Sequence, residues 1–269
     1  MKICTILVLL LASVTTFAQT PRTTPGTEAE LAQITERGRN LAAYDVAAWH
    51  ATDAVLALKP EEGSVVRYIA KRTGDRWTVA FGRLNEARDK FLIAYEAVQG
   101  STPTEFKGSK LTPVKEDAGF FLFAARAIDT SLALFKGEER PYNVAVLPAP
   151  SDQLYVYVVP AQTKDGVYPL GGDVRYLVSA DGLKVVEKRQ MHKAIIEFAT
   201  SENVRSGYHT AVLDQIPEDT DVFHVLARKP SVPQWIATKL FVYRIEPDGS
   251  IRYLMTTEAL QKASPAKNP

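Results

Sequence analysis

The sequence predicts an α+β protein in which two main helices, at about 28–58 and about 113–135, pack on a largely antiparallel, hairpin-rich sheet. Three observations lead to this class. Apolar residues recur at helical spacing in two long stretches, whereas the rest of the chain is rich in short runs of β-branched and aromatic residues. Three pairs of these runs are joined by turns that place Asp beside Gly, which is the sequence signal of a β-hairpin.

Residues 1–18 have the pattern of a cleavable export signal. Lys2 precedes an apolar run that ends at Val14, and Ala18 provides the small residue expected at the cleavage site. That run is too short to cross a bilayer, and no later segment reaches the roughly 18 uninterrupted apolar residues of a span. The expected localisation is therefore secreted or periplasmic, and the polar residues 19–27 are expected to form a disordered leader.

Composition excludes several classes of function. The only cysteine, Cys4, lies inside the predicted signal, so the mature chain has no thiol for disulfides, thiolate metal sites or nucleophilic catalysis. Without Lys2, 31 basic residues face 31 acidic ones, and there is no basic tract. We therefore expect no nucleic-acid partner and no membrane span after cleavage. The partner is expected to be a small molecule, a peptide or a component of the cell envelope.

The first predicted subdomain, 28–100, combines one helix with three antiparallel strands. Thr27 and Glu30 have the spacing of a capping box, and apolar residues then recur at helical spacing until Pro60. A turn at Gly74-Asp75 is expected to join the first two strands. Their register pairs Tyr68 with Phe81, Ala70 with Val79 and Arg72 with Trp77. KFLIAYEAVQ is the third strand, and the Gly-, Pro-, Ser- and Thr-rich stretch after it is expected to be a surface loop.

The second predicted subdomain, 113–257, opens with a buried helix and continues as a larger antiparallel β region. Thr112 can cap this helix and Pro113 can occupy its first turn. Its body, GFFLFAARAIDTSLALF, is apolar almost all round, so we expect it to be buried against the sheet. No further helix is indicated, and residues 262–269 are expected to form a disordered tail.

Two hairpins organise this β region. A three-residue loop ending at Gly182 is expected to pair Arg175 with Glu187 and Leu177 with Val185. In the last hairpin, Pro247 pre-sets the first turn residue and Gly249 takes the left-handed position. The expected pairs there are Ile245 with Ile251, Tyr243 with Tyr253 and Phe241 with Met255.

The chain contains none of the short motifs that carry a known mechanism. There is no phosphate-binding GxxxxGK[ST], no GxGxxG, no GxSxG, no HExxH and no calcium loop, so no cofactor is evident. Gly171-Gly172-Asp173 is the only double glycine. Because a strand follows it directly, a bulge or a tight strand entry is favoured over a ligand cradle.

Histidines provide the only candidate binding or metal-ligating site. The candidates are His192, His209, Asp221 and His224, and all three histidines are expected to lie on strands. Two imidazoles and a carboxylate suffice for a zinc or iron site, or for an acid–base pair. The alternative is structural: in DVFHVLA, strand alternation surrounds His224 with apolar residues, and such an imidazole is typically neutral and buried.

Two functions from different classes remain open from the sequence. The favoured one is an exported, non-catalytic binding or interaction domain in the periplasm or outside the cell. The alternative is a secreted metal-dependent or acid–base hydrolase that uses the His209, Asp221 and His224 region. They differ in whether the histidines converge on one point.

Overall fold

The structure, a computed structural model, describes residues 22–199, 201 and 203–263. The predicted export signal and most of the predicted tail lie outside these residues. Within them, four helices and several antiparallel sheets confirm the α+β class. No helix in the described ranges is both long enough and apolar enough to cross a membrane. The helices are α1 (Glu28–Leu56), α2 (Phe120–Leu132), α3 (Asp219–Ala227) and α4 (Thr257–Ala263).

The strands form three four-stranded sheets and one two-stranded sheet. The first sheet has the order β1-β2-β3-β4, the second β5-β6-β8-β9 and the third β11-β12-β13-β14, while β7 pairs with β10. All neighbours are antiparallel except β11 and β12. The strands are β1 (Arg67–Thr73), β2 (Arg76–Leu84), β3 (Phe91–Gln99), β4 (Phe106–Asp117), β5 (Tyr142–Pro148), β6 (Leu154–Pro160), β7 (Val167–Leu170), β8 (Val174–Val178), β9 (Val185–Gln190), β10 (Ile196–Ala199), β11 (Gly207–Thr210), β12 (Gln234–Ala237), β13 (Phe241–Ile245) and β14 (Ile251–Thr256).

Helix α1 contacts two different parts of the molecule. The capping box at its start is present, with Thr27 and Glu30 bonding each other's backbone amides. Its first turns pack with α3 and the third sheet, through Leu31 and Ile34. Its later turns, from Leu41 onward, pack on the first sheet and on strands of the second. The helix therefore joins the core of the first sheet to the core around α3.

The described part of the predicted leader, 22–27, contacts the folded body. The backbone N–H of Gly26 donates to the hydroxyl of Tyr243 at 3.0 Å, and Arg22 forms an ion pair with Glu30. These contacts place Arg22 beside the first turns of α1.

The first hairpin has the predicted register, with Tyr68 opposite Phe81, Ala70 opposite Val79 and Arg72 opposite Trp77. The stretch after β3, however, is not only a loop. Residues 106–117 form β4, which is a fourth strand of this sheet. Pro113 lies in an irregularity of the β3–β4 ladder, where its missing N–H removes no regular ladder bond.

Because β4 continues to Asp117, the second helix begins at Phe120 and not at about 113 as predicted. Asp117 still stabilises the helix start, since its Oδ1 accepts from the backbone N–H groups of Gly119, Phe121 and Leu122. The predicted burial of this helix is confirmed. Its apolar residues fill the core between the first and second sheets.

The predicted register of the central hairpin is wrong. Arg175 faces Arg189, and Leu177 faces Glu187. The turn is longer than predicted, running from Ser179 to Lys184, and a bulge follows it. Gly182 is left-handed as expected, but its carbonyl accepts from Thr130 of α2, so the turn is held by a helix distant in sequence. The two like charges are tolerated because each arginine has its own buried carboxylate partner.

The last hairpin confirms two of its three predicted pairs, Ile245 with Ile251 and Tyr243 with Tyr253. Phe241 faces Thr256 because a bulge between Val242 and Tyr243 shifts the register.

Helices α3 and α4 were not indicated by the sequence. The prediction that His192 and His224 lie on strands is wrong, because His192 follows the end of β9 and His224 is part of α3. Val222 and Val225 are three residues apart and both fully buried, which is the spacing of one helix face. The apolar residues of this stretch are thus compatible with a helix as well as with a strand. The amide of Glu218 donates to Asp221, an interaction across the first turn that favours the helix.

Candidate metal centre

Three segments that are distant in sequence meet at the first turn of α3. This helix contributes Asp221, β11 contributes His209, and the segment directly after β9 contributes His192. Nε2 of His192 lies 3.1 Å from Oδ1 of Asp221, and Nε2 of His209 lies 3.0 Å from the same oxygen. One donor atom from each residue falls within 4.8 Å of the other two. Atoms at this spacing could share one metal ion.

Each imidazole is oriented by a second partner on its other ring nitrogen. Nδ1 of His192 lies 2.9 Å from Oδ1 of Asp173. Nδ1 of His209 lies 3.0 Å from the amide nitrogen of Gln234, whose Oε1 has no hydrogen-bond partner. Turning that amide by 180° would let Oε1 accept from Nδ1–H of His209 and leave Nε2 with a free lone pair. A carboxylate or amide behind each histidine is the usual outer arrangement of a metal site.

Nε2 of His209 is a buried polar atom without a hydrogen bond to any described residue. This atom lies 3.0 Å from Oδ1 of Asp221 but forms no hydrogen bond with it. A short distance alone does not make a hydrogen bond, because the donor and acceptor angles must also be suitable. A buried nitrogen in this state is costly unless something else occupies its lone pair or accepts its proton. A metal ion placed between the two Nε2 atoms and Oδ1 would satisfy it.

The charges in this group depend on one another. Burial opposes a charge on His192, but the carboxylates of Asp173 and Asp221 outweigh it and hold the pKa of the imidazole well above its ordinary value. Burial likewise opposes the charge of Asp221, and His192 and His209 reverse that effect and lower the pKa of this carboxyl. Without a metal, a protonated His192 therefore offsets one of the two carboxylates. A divalent ion bound by neutral imidazoles would offset both.

The centre is closed to solvent. His192 is 8% exposed, His209 4% and Asp221 0%. Oδ2 of Asp221 accepts from the backbone N–H of Glu218 at 2.7 Å, which leaves Oδ1 as the oxygen that faces both histidines. The geometry thus provides a buried N, N, O donor set of the kind that zinc and other transition metals bind.

His224, the fourth candidate from the sequence, lies one turn after Asp221 on α3 but outside the donor group. Its ring is 5.0 Å from that of Phe198, and its Nε2 has no hydrogen-bond partner among the described residues. Burial and the nearby Arg228 lower the pKa of this imidazole to about 3, so it is neutral. The structure therefore brings together His192, His209 and Asp221, and leaves His224 apart.

Asp173 and Gln234 are parts of the site that sequence reasoning missed. Asp173 follows the double glycine, the one local signal that could have indicated it, and β8 begins directly after it. Gln234 begins β12, and nothing in its local sequence distinguishes it from other strand residues.

A second group of charges surrounds the same turn of α3. Asp219 accepts from Nε of Arg37 at 2.9 Å and from the hydroxyl of Tyr157 at 2.9 Å, and it is paired with Arg175. Burial and the carboxylate of Asp219 raise the pKa of Tyr157, which stays protonated.

Arg189 binds two further carboxylates, those of Glu218 and Asp214. Burial raises the pKa of Glu218 to about 7, although Arg189 acts in the opposite direction. We refer to Arg37, Tyr157, Arg175, Arg189, Asp214, Glu218 and Asp219 together as the α3 ion cluster.

Comparison of the sequence with protein-family models and curated proteins, and of the structure with solved structures, found no significant match.

Proposed function

We propose that this protein is an exported, non-catalytic binding protein that holds one divalent transition-metal ion between His192, His209 and Asp221. The observation that carries the proposal is the convergence of two imidazole Nε2 atoms on a single carboxylate oxygen, at 3.1 and 3.0 Å. Each imidazole has an outer partner, and one of the Nε2 atoms lacks a hydrogen bond.

The donor set and its spacing support zinc as the first ion to test. Around a tetrahedral zinc ion with bonds of about 2.0–2.2 Å, neighbouring ligand atoms are roughly 3.3 Å apart. The two nitrogen–oxygen distances are within a few tenths of an ångström of this value. Imidazole also suits copper, iron and nickel, and affinity within that series follows the metal as well as the site. Neutral histidines, Asp173, Asp221 and a divalent ion together carry no net charge.

Burial supports a structural or storage role over catalysis. A catalytic zinc keeps one coordination position open for water or substrate, whereas these three ligands are almost completely enclosed. The ligands come from α3, β11 and the segment after β9, so the ion would connect the second sheet to the third. A hydrolase using the same residues would require a channel to the metal, and the burial of all three ligands argues against one.

The test is metal binding by purified protein after chelator treatment. We expect titration calorimetry with zinc to give one site per chain. His209→Gln removes a ligand and should weaken binding by more than about 100-fold, since loss of an outer partner alone typically costs 10–100-fold. His224→Gln is the matched control, because it changes a buried histidine of the same region outside the donor group, and it should bind zinc like the wild type.

Two outcomes would contradict the metal proposal. Wild-type protein that binds none of zinc, copper, iron or nickel would assign the cluster to a purely hydrogen-bonded role. Equal loss in the two histidine variants would mean that the effect comes from the fold and not from the ligands. Export is tested separately, by mass spectrometry of the secreted chain, which we expect to begin near Gln19.

A further inference from the structure

A polar cleft of about 460 Å³ opens beside the α3 ion cluster, between α1 and the strands β8 and β9. This volume lies in the range of small-molecule sites. Four of the residues that line it are arginines, Arg22, Arg37, Arg175 and Arg189. None of these is a candidate ligand of the metal centre, so the inference below does not rest on the metal.

The arginines have donor groups that no carboxylate uses. Only Nε of Arg37 is hydrogen-bonded to Asp219, and its terminal nitrogens have no acceptor among the residues that the structure describes. Arg175 uses Nη1 for Asp219, and Arg189 uses Nε and Nη2 for its two carboxylates. Each guanidinium is therefore fixed in position by an acidic partner and retains N–H groups that have no protein acceptor.

Two of the carboxylates that pair with these arginines are more deeply buried than the arginines themselves. The side chain of Asp219 is 1% exposed and that of Glu218 is 6% exposed. The side chain of Arg37 is 25% exposed and that of Arg189 is 17% exposed. A molecule in the cleft would meet guanidinium N–H groups with Asp219 and Glu218 behind them. Glu30 and Asp214 also line the cleft, and each is already paired with an arginine. Fixed guanidinium groups of this kind match the geometry of carboxylate and phosphate oxygens.

We propose that this cleft binds a small anion carrying carboxylate or phosphate oxygens, with Arg37, Arg175 and Arg189 as its hydrogen-bond donors. The ion pairs to Asp219 and Glu218 hold the guanidinium groups in place before the anion arrives, which reduces the ordering cost of binding. The site is a small-molecule site by volume, distinct from the closed metal centre on the other side of the same helical turn.

Titration calorimetry at low ionic strength tests the proposal, with succinate as the carboxylate probe and inorganic phosphate as the phosphate probe. We expect saturable 1:1 binding of at least one probe with a Kd below about 1 mM. Arg37→Gln should weaken that binding at least about tenfold, because it removes exposed donors while Arg175 still neutralises Asp219. Arg39→Gln removes the same charge from the same helix, outside the cleft, and should change the Kd less than about twofold.

A second pair of variants adds charge without breaking an ion pair. Gln33 lines the cleft, so Gln33→Glu should repel the probe and weaken binding at least about tenfold. Ala32 is its neighbour on α1 but lines a different cavity, so Ala32→Glu should have little effect. The proposal is wrong if neither probe binds at concentrations up to about 10 mM. It is also wrong if each control variant weakens binding as much as the cleft variant with which it is paired.

Discussion

Helices α2 and α3 are both buried, but they differ in the chemical groups that they bury. Helix α2 lies between two sheets and packs on both with apolar side chains, and none of its buried residues is charged. Helix α3 buries an apolar face against the third sheet, and it also buries the carboxylates of its first turn, Glu218, Asp219 and Asp221. Apolar burial accepts many neighbours of suitable volume, whereas each buried carboxylate needs a specific cation or hydrogen-bond donor.

The difference explains where candidate function lies. The carboxylates of the first turn of α3 contact His192 and His209 of the candidate metal centre. They also contact Arg37, Arg175 and Arg189 of the arginine-lined cleft. Three arginines and two histidines approach this turn from other elements, so its stability depends on all of them being present together. The core around α2 has no such requirement and offers no chemistry.

The largest expected effect comes from removing one partner at the first turn of α3. Asp219→Ala leaves Arg37, Arg175 and Tyr157 without their shared acceptor, and we expect it to lower the free energy of unfolding by about 3–5 kcal/mol. Urea denaturation followed by circular dichroism measures the loss. In the α2 core, Ile128→Val should cost only about 0.5–1.5 kcal/mol. Comparable losses in the two variants would remove the distinction between the helices.

Metal removal should destabilise the region around α3 and leave the core around α2 unchanged. We expect zinc at about 100 times its Kd to stabilise the folded chain by about 2.7 kcal/mol, and a chelator to abolish this gain. Thermal unfolding with and without chelator measures it. The gain should vanish in His209→Gln and persist in His224→Gln. A chelator effect that survives in His209→Gln would place the ion elsewhere.

The apolar face of α3 can be tested from the turn that packs on it. Gly249 has φ +85°, and a Cβ there would lie 3.0 Å from Cγ1 of Val222. Gly249→Val should therefore cost about 1–3 kcal/mol through backbone strain and crowding. Asparagine adopts the left-handed region more easily than valine does. A smaller loss of melting temperature in Gly249→Asn than in Gly249→Val would therefore measure the contribution of backbone strain. No loss in either variant would contradict the turn geometry.

The smallest effect concerns a carboxylate that is largely buried without a cation. Burial raises the pKa of Asp45 on α1 to about 6. Because the folded state binds this proton more tightly than the unfolded state, its charge destabilises the fold above pH 6, and that cost disappears as the pH falls towards 4. Asp45→Asn should therefore gain about 1–2 kcal/mol at pH 8 and nothing at pH 4. An equal effect at both pH values would exclude titration as the cause.

Local features of the fold were predictable because their causes lie within a few residues. The capping box of α1 and the Gly74-Asp75 turn each depend on neighbours in sequence, and the structure confirms both. The start of α2 was misplaced because Thr112 and Pro113 are good helix-start residues, while their pairing with β3 could not be read locally. Helix α3 was missed because its nine residues, DTDVFHVLA, place apolar side chains at positions that fit both the helical and the strand period.

The sequence by itself determined the α+β class, two of the three hairpin turns with most of their pairs, and the identity of the candidate histidines. Tertiary structure alone decided the register of the central hairpin and which histidines meet. His192, His209 and Asp221 come from three segments, and their outer partners Asp173 and Gln234 from two more. Side-chain periodicity reports only which face of one element is buried, whereas convergence depends on how separate sheets pack against a helix that the sequence did not indicate.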